Sequence, residues 1–596
     1  MTDANPLLDD RDVAFLLHDV HDASALCALP AFAMHGRETF DLTLQNLRRI
    51  ARELLAPASR EVDAHAPTLA ADGSVALHPK MRAMFTALAE AGVLAATRPF
   101  AVGGQQLPSL VYTAASAYLC AGNGSAAGLV MLTSEAAHLI ESFGSDDLRA
   151  RYVGPLYAGA MTGTMALTEP HAGSSLGDIT TRATPQADGS YRVSGSKIFI
   201  SGGEHDLTDN IVHMVLARVD GAPGGTRGVS LLCVPKRRPD GAFNDVRCAG
   251  VLHKIGWRAL PSVVLNFGEE GDCHGWLVGA PGRGLPQMFQ MMNAARIMVG
   301  VNGMATASVA YHEAIRYAQG RHQGRLPGAR DPRAPQVAIV EHPDVRRMLL
   351  RQKAIVEGGL ALLIHTARYA DLAEHHDDPD ERRRAQRLLD LHTPVAKSFP
   401  AERGFEANAL ALQIHGGYGY SSEYLPEAWL RDQKLNTIHE GTTGIHGLDL
   451  LGRRVFADGA FLALADEWRR ALADARDAGL SATWLADFER AAHNIADLTL
   501  ELARRGQAGE PEFMLRHSAD FLELFSTIVV AWQWLRQASV AARALPTAAA
   551  NDRGFYEGKL CAAQYWFSTE LPRIDHWVRL CRDGEDSYAR MQPGWF

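Results

Sequence analysis

A change of texture at Thr162, reversed at Pro286, constrains the fold of this 596-residue chain more than any other feature. Before it, apolar residues recur every three or four positions. Phe40, Leu44, Leu47 and the run 50–54 mark one helical face, and 110–132 is rich in alanine. Gly103-Gly104 and Gly122-Asn123-Gly124 punctuate this part as turns. From 162 to 280 the pattern becomes short β-rich runs separated by Gly, Asp and Pro, clearest at 191–193, 197–200, 211–216 and 229–234. Strands without intervening helices predict a small antiparallel β domain. After Pro286 helical spacing returns over 287–319, 342–374 and 384–415, lengths suited to a bundle, with Thr393-Pro394 expected to kink the third helix. The predicted fold is mainly α with a central antiparallel β domain. Its parts are an extension (1–38), a helical domain (39–161), the β domain (162–280), a helical bundle (281–455) and an additional helical domain (456–596). The extension carries one amphipathic pattern, 13–17, that should dock on the main body.

Composition excludes several function classes. The net charge of −9 argues against a nucleic-acid-binding surface. No run approaches the roughly 18 apolar residues of a membrane span; the longest candidate, 528–535, contains Gln533. The seven cysteines are scattered without a CxxC, as in a reducing cytosol, and disfavour a disulfide framework or a zinc site. The start, MTDANPLLDD, reads as neither a signal nor a transit peptide. A soluble cytoplasmic protein is expected. No GxGxxG opens a Rossmann unit, and Gly195-Ser196-Lys197 lacks P-loop spacing. His439-Glu440 resembles the start of a zincin motif, but the next histidine, His446, is too distant to chelate with it. There is no GxSxG.

Four stretches remain. The loop 436–444, Asn-Thr-Ile-His-Glu-Gly-Thr-Thr-Gly, places one carboxylate, Glu440, among turn-forming residues. Gly441 permits an unusual φ or close ligand approach, and Thr442 and Thr443 can cap the following helix. Glu440 is either a helix cap or a reactive group. The stretch 165–175, MALTEPHAGSS, offers hydroxyl and N–H donors at the mouth of the β domain, or is a plain linker. Phe199-Ile200-Ser201-Gly202-Gly203 is a strand whose aromatic and hydroxyl alternate faces before a turn. Gln413-Ile414-His415-Gly416-Gly417-Tyr418-Gly419-Tyr420 lets backbone pass close to a ligand, or is a glycine-rich helix end.

In this order the four are specific. The chain resembles the acyl-CoA dehydrogenase family over about 39–455 through ALTEPHAGS, FISGG, QIHGGYGY and IHEGTTG. The resemblance implies an α domain, a β domain and a four-helix α domain with FAD between them. The length and the variants FISGGEHD and NTIHEGTTGI are most similar to the long subfamily of 3-methylmercaptopropionyl-CoA dehydrogenases, which carries an extra C-terminal helical domain. The implied reaction is α,β-dehydrogenation of an acyl-CoA thioester, such as 3-methylmercaptopropionyl-CoA or another fatty acyl-CoA, with electrons passed to an electron-transfer flavoprotein.

By the same resemblance Glu440 is the base, and its backbone N–H faces the thioester oxygen. Some relatives carry the base on the first helix of the last α domain, but 285–312 holds no Asp or Glu. Leu167, Thr168, Ser174, Phe199, Ile200 and Ser201 would line the flavin. Arg321, Gln413, Gly416 and Gly417 would meet the pyrophosphate across a homodimer interface, and Thr442 and Gly444 the adenosine side or the pyrophosphate. Ser174, Arg296, Glu440 and Gly441 would touch substrate; no metal is implied. Arg296 also reads as an interhelical ion pair, and the methionines Met288, Met291, Met292 and Met298 as a tail pocket or as core packing. The competing readings are an acyl-CoA oxidase and a non-catalytic, DNA-binding flavoprotein of the same fold.

Overall fold

The computed structural model describes residues 5–328, 331 and 333–596, without the side chains of 290–292. Met291 and Met292 therefore lie outside the described residues. The chain forms two compact units, Ala31–Ala295 and Met1–Pro30 with Arg296–Phe596. Among the described residues no helix is long and apolar enough to cross a membrane.

The first unit joins the N-terminal helices to the β domain. In helix Arg37–Ile50 the buried residues are Phe40, Leu44 and Leu47, the face that the spacing predicts. Helices Ser109–Gly122 and Gly124–Phe143 are buried over most of their surface. Asn123 separates them, and its carboxamide oxygen accepts from the Ala126 N–H at 3.0 Å, capping the second.

The sheet has eight strands: β1 Thr162–Ala166, β2 Arg182–Pro185, β3 Tyr191–Ser201, β4 Ile211–Val219, β5 Val229–Pro235, β6 Val246–Val251, β7 Ser262–Phe267 and β8 His274–Leu277. Their order is β1-β4-β5-β8-β3-β7-β6, with β2 pairing β3 and β4. Most pairs are antiparallel, but β1–β4 and β2–β4 run parallel. β4 and β5 read as continuous apolar runs because both faces are covered. Val212, Met214, Leu216, Leu231 and Cys233 join a core with Ala136, Leu139 and Ile140 of the preceding helix. The alternate residues, Val215, Ala217, Leu232 and Val234, join Val193, Val263 and Leu265 on the other face. Each fully buried Val or Leu contributes roughly 1.5–3 kcal/mol, which fixes the register of these strands. Met288 belongs to the first of these cores, the packing role rather than a tail pocket.

In the second unit, helices Gly284–Gly320 (from Arg296), Pro343–His375 and Pro379–Ile414 precede the shorter Pro426–Lys434 and Thr443–Asp449. The helix carrying Pro394 and Pro400 continues through both. Pro400 has no N–H to give the Ala396 carbonyl, and that carbonyl faces Gly300, where a Cβ would stand 2.0 Å from it. Gly300 and Gly303 thus let two helix backbones touch. The N-terminal extension docks in this unit: Val13, Phe15, Leu16 and Leu17 are buried, and Phe15 meets Phe555 edge-on at 5.3 Å. Lys559 joins the two ends of the chain, pairing with Asp12 and, at 2.7 Å, with Glu357.

Candidate active site

The loop 436–444 is tied down at its entry. Asn302 donates to the Asn436 carboxamide at 3.0 Å, Asn436 donates to Gln433, and Gln433 donates to the Pro400 and Ala401 carbonyls at 3.1 Å. Its centre is strained. Glu440 has φ +53° and Gly441 φ +93°, and left-handed backbone at a non-glycine costs roughly 1–3 kcal/mol. Two buried donors hold it: His446 Nε2 donates to the Glu440 carbonyl at 3.0 Å, and Lys397 Nζ to the Gly441 carbonyl at 2.6 Å. A Cβ at 441 would lie 2.9 Å from His446 Nε2, so glycine is required there for space as well as for φ.

The cap reading of this loop does not hold. Thr442 occupies the N-cap of helix Thr443–Asp449 without a side-chain cap bond, and the Thr443 hydroxyl goes instead to Glu402. The Glu440 carboxylate makes no hydrogen bond or ion pair among the described residues. It is half-buried, and burial raises its pKa against the opposing charges of Arg296 and Lys397. Arg296 is buried 3.5 Å from Asp449, which also takes Arg454 at 3.2 Å and Arg453 at 2.5 Å. The ion-pair reading of Arg296 is thus realised, and its charge still reaches Glu440. Burial pushes Lys397 down to about 8 and His446 to about 3, so the imidazole is neutral and its proton is on Nε2. Helix Thr443–Asp449 is seated through Gly447, where a Cβ would lie 2.5 Å from the Ser518 carbonyl at the start of helix Ser518–Ala544.

A second group of predicted residues lies in the β domain. Glu169, buried, accepts from the N–H and hydroxyl of Thr180 (2.7 and 2.8 Å) and of Thr181 (3.0 and 2.6 Å), and pairs with Lys197 at 2.9 Å. Burial opposes ionisation, but Thr181 and Lys197 pull its carboxyl down to about 2. Lys197 also donates to the Leu167 carbonyl at 2.9 Å, and the Ile198 N–H to the Thr168 carbonyl at 3.0 Å. The loop of Leu167 and Thr168 is therefore locked onto β3.

The simple alternation expected in β3 is broken. Its register with β7 shifts between Lys197 and Ile200, and Phe199 takes φ +62°. Ile200 goes into the core while the Phe199 ring stays 63% exposed. Ser201 lies half-buried, 3.3 Å from the Ser262 hydroxyl. Ser174 is exposed and Thr168 half-exposed; among the described residues neither hydroxyl has a partner.

A third group lines a cavity of about 580 Å³ in the second unit: Arg321, Tyr317, His415, Gly416, Gly417 and Tyr418 are among its walls. Gly416 has φ +59°. The Arg321 guanidinium lies 5.9 Å from the Tyr418 ring centre. Gln413 is exposed and is not part of this wall. Thr442 and Gly444 are exposed beside Glu440 in the sequence and do not line the cavity either.

Reading the sequence missed Lys397, His446, Glu169 and Lys197. Each acts on a backbone or carboxylate that is not its neighbour, so only the rarity of a lysine within an apolar run marked Lys197 and Lys397.

Comparison with known proteins covers nearly the whole chain. Models for the acyl-CoA dehydrogenase N-terminal, middle and C-terminal domains match 38–160, 164–269 and 282–456. A model described as acetyl-CoA dehydrogenase C-terminal like matches 462–592. The chain is 37% identical to a 3-methylmercaptopropionyl-CoA dehydrogenase of Ruegeria pomeroyi, over 93% of this chain and 94% of the relative. It is 33% identical to a broad-specificity linear acyl-CoA dehydrogenase of Mycobacterium tuberculosis, over 95% of each. In fold it is similar to ACDH-11 of Caenorhabditis elegans in complex with C11-CoA, with a TM-score of 0.79 at 20% identity, over 99% of this chain and 96% of that one.

Proposed function

The chain belongs to the acyl-CoA dehydrogenase family of FAD-dependent oxidoreductases, and from that premise we propose that Glu440 is the base that removes the α-proton of a saturated acyl-CoA thioester. The observation that carries this is the pinned, left-handed loop, which keeps an unpaired, half-buried carboxylate at its turn. Burial raises the pKa of that carboxylate and makes it a stronger base, while Arg296 and Lys397 oppose the rise. The Glu440 backbone N–H has no partner among the described residues. It is the donor for the thioester oxygen as negative charge develops there.

The residues suit FAD. In the first unit the hydroxyls of Thr168 and Ser174 have no partner among the described residues and the exposed Phe199 ring offers a face for a planar ring system; in the second, the Thr442 hydroxyl likewise has none among the described residues. Ile200 and Ser201 would contribute main chain and hydroxyl, and Leu167 its apolar edge. Arg321 with the Gly416–Gly417 backbone gives a cationic cradle for the pyrophosphate, with Gln413 at its margin, and Gly444 leaves room beside Thr442. When bound, FAD supplies the acceptor for the β-hydrogen as hydride. Arg296, held by Asp449, acts on Glu440 through its charge, and with Gly441 it is a proposed substrate contact.

The substrate we propose is 3-methylmercaptopropionyl-CoA or another fatty acyl-CoA, after the two relatives above. An electron-transfer flavoprotein is the proposed acceptor and a homodimer the proposed assembly. Anaerobic bleaching of bound FAD by a panel of short, long, branched and thioether acyl-CoAs tests the reading. At least one should bleach the flavin, and failure of all would refute it. Peroxide formation in step with turnover would make the enzyme an oxidase instead.

A further inference from the structure

We propose that Lys397 and His446 are positioning residues for Glu440: by holding two consecutive carbonyls they fix the turn that points both the carboxylate and the Glu440 N–H at the substrate. The proposal rests on Glu440 being the base. The two donors come from different helices, Pro379–Ile414 and Thr443–Asp449. They take the carbonyls of Glu440 and Gly441, the two residues with positive φ. Freed of either bond, the turn can relax by rotating a peptide plane, and the strain of the non-glycine residue drives it that way.

Lys397 does more than hold a carbonyl. Its side chain is 0% exposed and has no carboxylate partner among the described residues. A neutral donor would serve a carbonyl at less cost, since a buried charge without a counter-ion is expensive. What the ammonium adds is a positive charge at the Gly441 carbonyl, felt by Glu402 and by Glu440.

Several other charged groups around the loop have partners of their own, although Arg296 still acts on Glu440 ahead of Lys397. From helix Gly284–Gly320, Arg296 is paired with Asp449. From Pro379–Ile414, Glu402 accepts from Thr443 and Arg403 pairs with Glu406. On Thr443–Asp449, His446 is neutral and Asp449 is taken by Arg296, Arg453 and Arg454. On Ser518–Ala544, Glu523 is paired with Arg403 at 3.2 Å. Among the described residues Lys397 makes no ion pair, and its charge acts through space on Glu402 and on Glu440.

The test compares Lys397→Met with Lys397→Arg, and His446→Leu with His446→Gln. FAD content and thermal stability are read first. The rate of flavin reduction against pH then follows, with the acyl-CoA that bleaches wild type fastest. Loss of a cation that acts on a carboxylate raises its pKa. The acid limb of Lys397→Met should therefore move to higher pH, while Lys397→Arg keeps it near wild type. His446→Leu should leave the limb in place and lower the plateau about tenfold or more at unchanged KM, and His446→Gln, whose amide can donate to the same carbonyl, should restore it. An unmoved limb in Lys397→Met, or a wild-type plateau in His446→Leu, overturns the proposal. The crystal structure of His446→Leu decides independently of turnover: the proposal expects Glu440 to leave its positive φ, and retention of that φ contradicts it. If no acyl-CoA bleaches wild type, the functional reading fails, and the crystallographic arm still judges the clamp.

Discussion

Two buried lysines, Lys197 in the β domain and Lys397 in the helical bundle, do opposite things with the same side chain. Lys197 is paired with Glu169 at 2.9 Å, and that carboxylate is saturated by Thr180 and Thr181. Its charge is spent on fixing a loop. Lys397 has the Gly441 carbonyl and, among the described residues, no ion pair; its charge acts through space on Glu402 and Glu440. The difference separates scaffold from chemistry within one protein. A fully satisfied ionic cluster makes a rigid edge for a ligand, and an unbalanced one sets the protonation of a reactive group.

The largest expected effect follows from breaking the paired lysine. Lys197→Met leaves Glu169 buried without its cation, and such losses cost about 3–5 kcal/mol. Chemical denaturation should show it as a lower midpoint, and a change under about 1 kcal/mol would mean that the threonines alone sustain the carboxylate. The pH dependence carries a matching sign. Glu169 is held at about 2 against an ordinary value of 4.5, so its stabilisation is complete above about pH 4.5 and fades as the pH falls toward 2. That acid sensitivity should shrink in the Lys197→Met variant, where the folded-state carboxyl loses the partner that depressed it.

Lys397→Met should be milder for the fold, within about 1 kcal/mol, because no carboxylate is orphaned. If it unfolds the protein as badly as Lys197→Met, the contrast between the two lysines collapses. Smallest of all is Thr442→Ala. Replacing a helix N-cap threonine ordinarily costs about 1 kcal/mol, but Thr442 makes no cap bond. Stability should therefore change by less than about 0.5 kcal/mol while FAD is retained less tightly, which equilibrium dialysis against free FAD would read.

The same contrast explains what was legible in the sequence. The helical periodicity at Phe40, Leu44 and Leu47, the apolar strands around Met214 and Leu232, and the acid-free run at 285–312 are local patterns. Local patterns survive reading one residue at a time. Glu440 was legible because its neighbours form a motif. Lys397 was not, since the carbonyl it holds is 44 residues away, and Lys197 and Glu169 are separated by 28. The left-handed turns at Phe199 and Glu440 were invisible for another reason: neither residue type prefers that conformation, and only tertiary bonds impose it. The parallel pairing of β1 with β4 and the joining of the chain's two ends through Lys559 are likewise decided by distant partners.

The most direct measurement is flavin reduction by Glu440→Gln under anaerobic conditions. The substitution keeps the size of the side chain and removes the base, and loss of a positioned general base typically costs 10²–10⁴-fold. The account predicts a variant that binds FAD as wild type does, keeps its fold, and is reduced by acyl-CoA at least about a hundredfold more slowly. Reduction at close to the wild-type rate would show that another group takes the α-proton, and that the pinned turn at 440–441 serves something other than catalysis.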